Sequence, residues 1–152
     1  MAVKPIPDEY GSITPYLYLD GAADAIEFYK RAFGATERGR MAGPNGTIGH
    51  AEIEIGGSVI MLADNPERSP KKLGGACMSI VLYVEDVDSV FKRAVDAGAT
   101  SIQAPEDKFY GDRMGTLVDP FGHEWSIGTH IEDVSEQEMA KRAQQAMAQM
   151  SG

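Results

Sequence analysis

LYLDGAADAIEFYKRAFGAT, residues 17–36, and LYVEDVDSVFKRAVDAGAT, residues 82–100, are two copies of one pattern. Each reads as a short apolar strand, an acidic turn, an amphipathic helix and a closing Gly-Ala-Thr, so an internal repeat organises the chain. In the first copy Ile26, Tyr29, Ala32 and Phe33 recur at helical spacing, and Gly34 stands where a left-handed residue ends a helix. In the second, Val87, Val90, Phe91, Ala94 and Val95 recur in the same way before Gly98. Strand-like runs follow each helix. RGRMA and TIGHAEIEI precede a Gly56-Gly57 turn and SVIMLA; TSIQA and a loop PEDKFYGD precede RMGTLV, the turn Asp119-Pro120-Phe121-Gly122 and HEWSIGT.

Each half therefore reads β-α-β-β-β. The expected fold is α+β, two βαβββ modules forming an open barrel-like mixed sheet around a central cavity. A single domain, 1–131, would hold modules at about 12–64 and 77–130, joined by the polar stretch 64–76. One helix covers one face of a four-stranded sheet, so two open faces remain to enclose a ligand. The tail, 132–152, carries a capping-box Ser135 and Glu138 and a thin stripe of Met139, Ala143 and Met147. It predicts a C-terminal helix docking on the body or on a partner subunit.

With 43% hydrophobic and 24% charged residues, the chain has the composition of a soluble globular protein. Its net charge of -9 and lack of a basic cluster argue against nucleic acid and acidic membranes as partners. No segment has the length and apolarity of a membrane span, and the first residues do not read as a signal peptide. The lone Cys77 excludes an internal disulfide; within its apolar run it reads as a small buried hydrophobe, which suits the cytoplasm.

The motifs ITPYLYLDGAADAIEFYKRAFGA, GHAEIEIGGSVIMLAD, LYVEDVDSVFKRAVDAGA and GDRMGTLVDPFGHEWSI together resemble the vicinal oxygen chelate superfamily, which comprises glyoxalase, bleomycin-resistance and extradiol dioxygenase proteins. ITPYLYLDG, HAEIEIGGSVIMLAD and DPFGHEW are most similar to its PhnB-like branch. The resemblance implies the paired-module fold, a homodimer and, in members that use a metal, one ligand from the first and last strand of each module. Those positions fall on Thr14, Met61, Ser79 and Ser126. Hydroxyls and a thioether are poor ligands for a hard or borderline divalent ion, so no metal and no cofactor are expected. A shift of one residue restores nothing, because Ile13, Pro15, Ile60, Leu62, Met78, Ile80, Trp125 and Ile127 are not ligands for such ions either.

Strand alternation then sorts the side chains. Thr14, Tyr16 and Tyr18 share the cavity face, as do Ser79, Val81 and Tyr83, and Glu124 and Ser126. Ile13, Leu17, Leu19, Met78, Ile80, Leu82, Val84, Trp125 and Ile127 meet the helices. On TIGHAEIEI, His50, Glu52 and Glu54 face the cavity or its rim. His50 and Glu52 are the candidate catalytic pair, a histidine beside a carboxylate being able to move a proton; the bland alternative is a solvated strand edge. Candidate ligand-binding residues are Tyr16, Tyr18, Met61, Tyr83, Tyr110, Arg113, Glu124 and Ser126. Arg113 is a candidate clamp for an anion, with an ion pair to Asp112 or Glu52 as the structural alternative. His123 and Asp119 are expected to serve the turn, and His130 to be solvated.

The expected function is a metal-free small-molecule-binding protein that sequesters its ligand, its cavity walled by tyrosines. The alternatives are a metal-dependent lyase, isomerase or dioxygenase with an altered site at His50 and Glu52, metal-free acid–base catalysis by the same pair, and an assembly role for the C-terminal helix.

Overall fold

The computed structural model describes residues 3–150. Strand β1 (Tyr16–Leu19) leads into helix α1 (Ala22–Phe33), then β2 (Thr36–Ala42), β3 (Ile48–Ile55) and β4 (Ser58–Asp64). A short helix α2 (Pro70–Leu73) lies in the connection to the second half. There β5 (Ser79–Tyr83), α3 (Val87–Asp96), β6 (Thr100–Asp107), β7 (Asp112–Val118) and β8 (Glu124–His130) repeat the order, and α4 (Glu136–Met150) closes the chain. The strands form two four-stranded sheets, β1-β4-β3-β2 and β5-β8-β7-β6, and neither closes into a barrel. Crossing over through the helix sends the chain to the far edge of its sheet. The following meander then brings β4 and β8 back, parallel to β1 and β5.

Helix α1 ends as its sequence dictates: Gly34 takes φ 69°, and its N–H reaches the Lys30 carbonyl. Both helices begin against the same position of the repeat. Asp64, the last residue of β4, accepts from Gly21 N and Ala22 N at the start of α1. Thr129, its counterpart on β8, accepts from Val87 N at the start of α3. A carboxylate and a hydroxyl thus satisfy otherwise orphaned helix donors.

Helices α1 and α3 pack on one another. The shared core holds Phe28, Tyr29, Leu117, Trp125 and Ile127, with Phe33 and Phe121 against it. Tyr29 and Phe33 of the first half touch Trp125 of the second, at ring-centroid separations of 5.5 and 4.7 Å. Burial of each such side chain contributes roughly 1.5–3 kcal/mol, so the two halves form one hydrophobic unit.

Alternation within the strands is as expected: Leu17, Leu19, Ala51, Ile53, Ile55, Trp125 and Ile127 are buried, whereas Tyr16, His50, Glu52, Glu124 and Ser126 are not. The strand ends differ. Ile13 is 90% and Met78 59% exposed, not in the helix layer, because the strands begin only at Tyr16 and Ser79. Pro15, lacking a donor, uses its carbonyl to accept from Met61 N. Cys77 is exposed, not buried, since it precedes β5 in a turn. The segment Pro105–Asp107, expected in a loop, extends β6, an edge strand that tolerates its proline through register shifts.

Helix α4 is capped as its sequence suggests, with Ser135 Oγ accepting from Glu138 N. None of its residues is buried. It is tied to the body by Arg142, which donates to Glu132 and to the Phe109 carbonyl.

Candidate functional site

Across the first sheet, Tyr16, Met61 and Glu52 lie opposite one another on adjacent strands, and His50 lies two residues before Glu52. The strand period of two places all four on the face away from α1. Their polar ends join. The Tyr16 hydroxyl lies 2.9 Å from His50 Nδ1, His50 Nε2 lies 3.2 Å from Glu52 Oε2, and the Tyr10 hydroxyl donates to the same Glu52 oxygen at 2.6 Å. A carboxylate only accepts, so Nε2 carries the imidazole proton and Nδ1 accepts from Tyr16. The hydrogen bond from Tyr10, with help from His50, holds the Glu52 carboxyl below its ordinary range. Partial burial pushes the Tyr16 phenol up, so it keeps its proton. The arrangement is a relay in which an imidazole, backed by a carboxylate, stands ready to take a proton from a phenol or from a ligand in its place.

Tyr16 also lines a cavity of about 410 Å³ where the edge strands β1 and β5 approach each other. Tyr18, Leu73, Met78, Ile80 and Glu124 complete much of its wall. Tyr18 stands 5.5 Å from Tyr16 and carries the Arg68 guanidinium over its ring at 4.1 Å. His123 lines the cavity too, and its Nε2 lies 3.1 Å from the Tyr18 carbonyl on the exposed edge of β1. Its backbone bonds Asp119 within the turn, as expected, and its ring in addition bridges the halves.

A larger cavity of about 530 Å³ is walled by Tyr10, Thr14, Pro15, Ile60, Val81 and Tyr83, among others, and shares Pro15 and Ile80 with the first. Tyr83 there donates to Asp112 at 2.6 Å. Asp112 and Asp133 each take one ring nitrogen of His130 at 2.7 Å. Two carboxylates on two ring nitrogens require the imidazolium, and Asp133, then Asp112, hold the His130 pKa above its usual value. Burial opposes ionisation of Asp112, but the bonds from Tyr83 and His130 outweigh it and lower its pKa. His130 is exposed, as expected, but it is the last residue of β8 rather than beyond the strand, and it is held in an ion-pair network.

Of the remaining candidates, Ser126 bonds Ser79 at 3.2 Å on the second sheet. Tyr110 packs edge-on against Phe109 at 5.3 Å in the loop before β7. Arg113 is not brought to the open face. It sits on the α3 side of β7, where its guanidinium makes a bidentate pair with Asp88 and a further bond to Asp107. Neither Asp112 nor Glu52 is its partner, because successive strand residues face opposite sides of the sheet. Sequence reasoning missed Arg68 and Tyr10. Arg68 lies in the connection taken as a plain link, and Tyr10 precedes any regular element. It also assigned Asp119 to the turn alone. That buried carboxylate accepts from Phe121 N and His123 N within the turn, and also from Tyr29 Oη and Trp125 Nε1.

At the four positions where a family metal would be held stand Thr14, Met61, Ser79 and Ser126. The two serine hydroxyls bond each other, and both ring nitrogens of nearby His50 are engaged. Among the described residues no three His, Cys, Asp or Glu side chains converge as a metal site requires. The residues present do not fit a divalent ion.

Over residues 12–127 the sequence matches the Glyoxalase/Bleomycin resistance protein/Dioxygenase superfamily, and the chain belongs to that superfamily. An uncharacterized protein of Mycobacterium bovis is 44% identical over 135 residues, spanning 84% of this chain and 89% of its own length. One of Arabidopsis thaliana is 31% identical over 112 residues, 67% of this chain and 68% of its own. Among solved structures, TioX from Micromonospora sp. ML1 superposes with a TM-score of 0.62 at 28% identity, over 82% of this chain and 100% of TioX. A PhnB protein of Bacillus cereus shares the fold, with a TM-score of 0.62 at 20% identity over 78% of this chain and 99% of that one.

Proposed function

We propose that the protein binds a small organic molecule, without a metal ion, in the cavity between β1 and β5. The observation that supports this is the cavity itself. Its volume of about 410 Å³ lies in the range of small-molecule sites; Tyr16 and Tyr18 give it aromatic walls, Leu73 and Met78 add apolar surface, and Glu124 is a polar anchor. The reading extends to a cytoplasmic homodimer that sequesters its ligand. Isothermal titration or native mass spectrometry against a metabolite and antibiotic panel tests it, with stoichiometric binding and no change to the compound as the expected result. Turnover of a bound compound overturns sequestration. A metal present at one equivalent in protein purified without a histidine tag, and needed for binding, overturns the metal-free reading. For the dimer, truncation after Ile131 is expected to shift sedimentation toward monomers.

A second reading is favoured by the Tyr16–His50–Glu52 relay: acid–base catalysis on a ligand in that cavity. Tyr16 reaches both the cavity and His50, so its oxygen would take a ligand proton as its own hydroxyl proton moves to His50 Nδ1, leaving a neutral phenol and an imidazolium stabilised by Glu52. It predicts a pH-dependent reaction abolished by His50→Ala with the fold intact. Full activity in that variant excludes it.

A further inference from the structure

The open face was expected to offer Arg113 to an anionic ligand, and that side chain is committed to Asp88 and Asp107 on the helix side. Another arginine stands at the cavity. Arg40 and Arg142 are ion-paired with neighbouring glutamates, as Arg113 is with aspartates. Among the described residues the Arg68 guanidinium has no ion pair and no hydrogen bond; it stacks on Tyr18. Stacking fixes the plane of the guanidinium while leaving its edge N–H groups free, the geometry that grips a carboxylate with two parallel bonds.

Glu124, on the same cavity wall, is half-buried at the start of β8. Its carboxylate also has no hydrogen-bond or ionic partner among the described residues, and the two charges do not pair with each other. A partly desolvated carboxylate without a partner is unfavourable, and a protonated amine in the cavity would relieve it. Neighbouring His123 does not fill that role: its ring turns to the Tyr18 carbonyl and makes no hydrogen bond to Glu124.

Resting on the binding reading above, we infer that the cavity selects a compact zwitterion. An anionic group would meet Arg68, a protonated amine would meet Glu124, and a flat apolar scaffold would lie along Tyr16 and Tyr18. The net charge of -9 gives this anion site a further consequence: ligand anions are repelled by the protein as a whole, and the local cation Arg68 must offset that repulsion at the cavity.

Four compounds on one ring test the inference: para-(aminomethyl)benzoate with both charges, para-toluate with the anion alone, para-methylbenzylamine with the cation alone, and neutral para-methylbenzyl alcohol. Methyl NMR signals of Leu73 and Met78 report occupancy of the cavity. The zwitterion is expected to bind at least about tenfold more tightly than either singly charged compound. Arg68→Gln should weaken para-toluate and the zwitterion and leave the amine unchanged, and Glu124→Gln should do the converse. Arg68→Lys, which keeps the charge but not the fork, should fall between. Unchanged melting temperatures establish that the variants fold. Equal affinities for all four, unmoved by Arg68→Gln and Glu124→Gln, overturn the charge selection while leaving small-molecule binding in place. Silent Leu73 and Met78 signals across the series overturn both.

Discussion

The hydroxyl of Tyr29, in the first half, donates a 2.6 Å hydrogen bond to the buried carboxylate of Asp119, in the second. Trp125 Nε1 donates to the same oxygen at 2.9 Å, while the other oxygen takes two backbone N–H groups of the turn. Burial beside that carboxylate pushes the Tyr29 phenol well up. One side chain thus closes the β7–β8 turn and fastens the two repeats.

Asp119→Ala should therefore be among the most damaging single changes. It strands a buried phenol and a buried indole N–H and frees two part-buried backbone donors of the turn, at a cost of about 3–5 kcal/mol. Tyr29→Phe removes one bond and leaves the acceptor otherwise satisfied, so about 1–2 kcal/mol is expected. Urea denaturation of the two variants checks the order; a Tyr29→Phe variant as stable as the wild type would show that this bond does not fasten the halves.

The His130 network has a definite pH dependence. His130 is raised above its usual 6.5, so its stabilisation is complete below that value and is lost as pH climbs through the raised one. Asp112 is lowered below 3.8, so its stabilisation is present above that value and is lost as pH falls through the depressed one. The difference in melting temperature between the wild type and His130→Ala should be largest between the two and shrink above neutrality. A difference that is flat from pH 5 to pH 9, a range that brackets the ordinary histidine value of about 6.5, would exclude the imidazolium.

Tyr10 is the main hydrogen-bonded anchor of the segment before β1, through its bond to Glu52 and the Arg38 guanidinium 5.6 Å from its ring. Tyr10→Phe and Glu52→Gln should both speed hydrogen exchange or proteolysis before residue 15. Neither should unfold the sheet, because Ala51 and Ile53, flanking Glu52, remain buried. Unaltered exchange in both variants would show that the bond does not hold the segment.

Gly111 accepts N–H bonds from Ile131 and Glu132 and has φ 95°, and a side chain there would run into the Glu132 carbonyl. Gly111→Ala should displace the approach to α4 and cost about 1–3 kcal/mol. Exchange across residues 136–150 should rise with it; protection equal to the wild type would show that Arg142 alone suffices.

Much of this architecture was legible because each repeat carries two periods at once, 3.6 in its helix and 2 in its strands. Leu17, Leu19, Ile53 and Ile55 could face only a helix, and that fixed Tyr16, His50 and Glu52 on the other side. Tertiary pairing was not legible. Arg113 meets Asp88 from 25 residues away, and Asp119 meets Tyr29 from 90 away; no local pattern encodes either. Strand ends misled where apolar residues ran past the last ladder bond, as at Ile13 and Met78. The polar link hid Arg68, because its meaning depends on Tyr18 beneath it.

The Asp119 junction also bears on what happens if the backbone is severed. Residues 71–78 are exposed, and a protease nick there would part the polypeptide without parting the particle, since the α1–α3 seam and the Tyr29, Trp125 and Asp119 clasp lie elsewhere. Two separately expressed fragments divided at that stretch should find each other and reconstitute a single body, each serving as the other's missing interior.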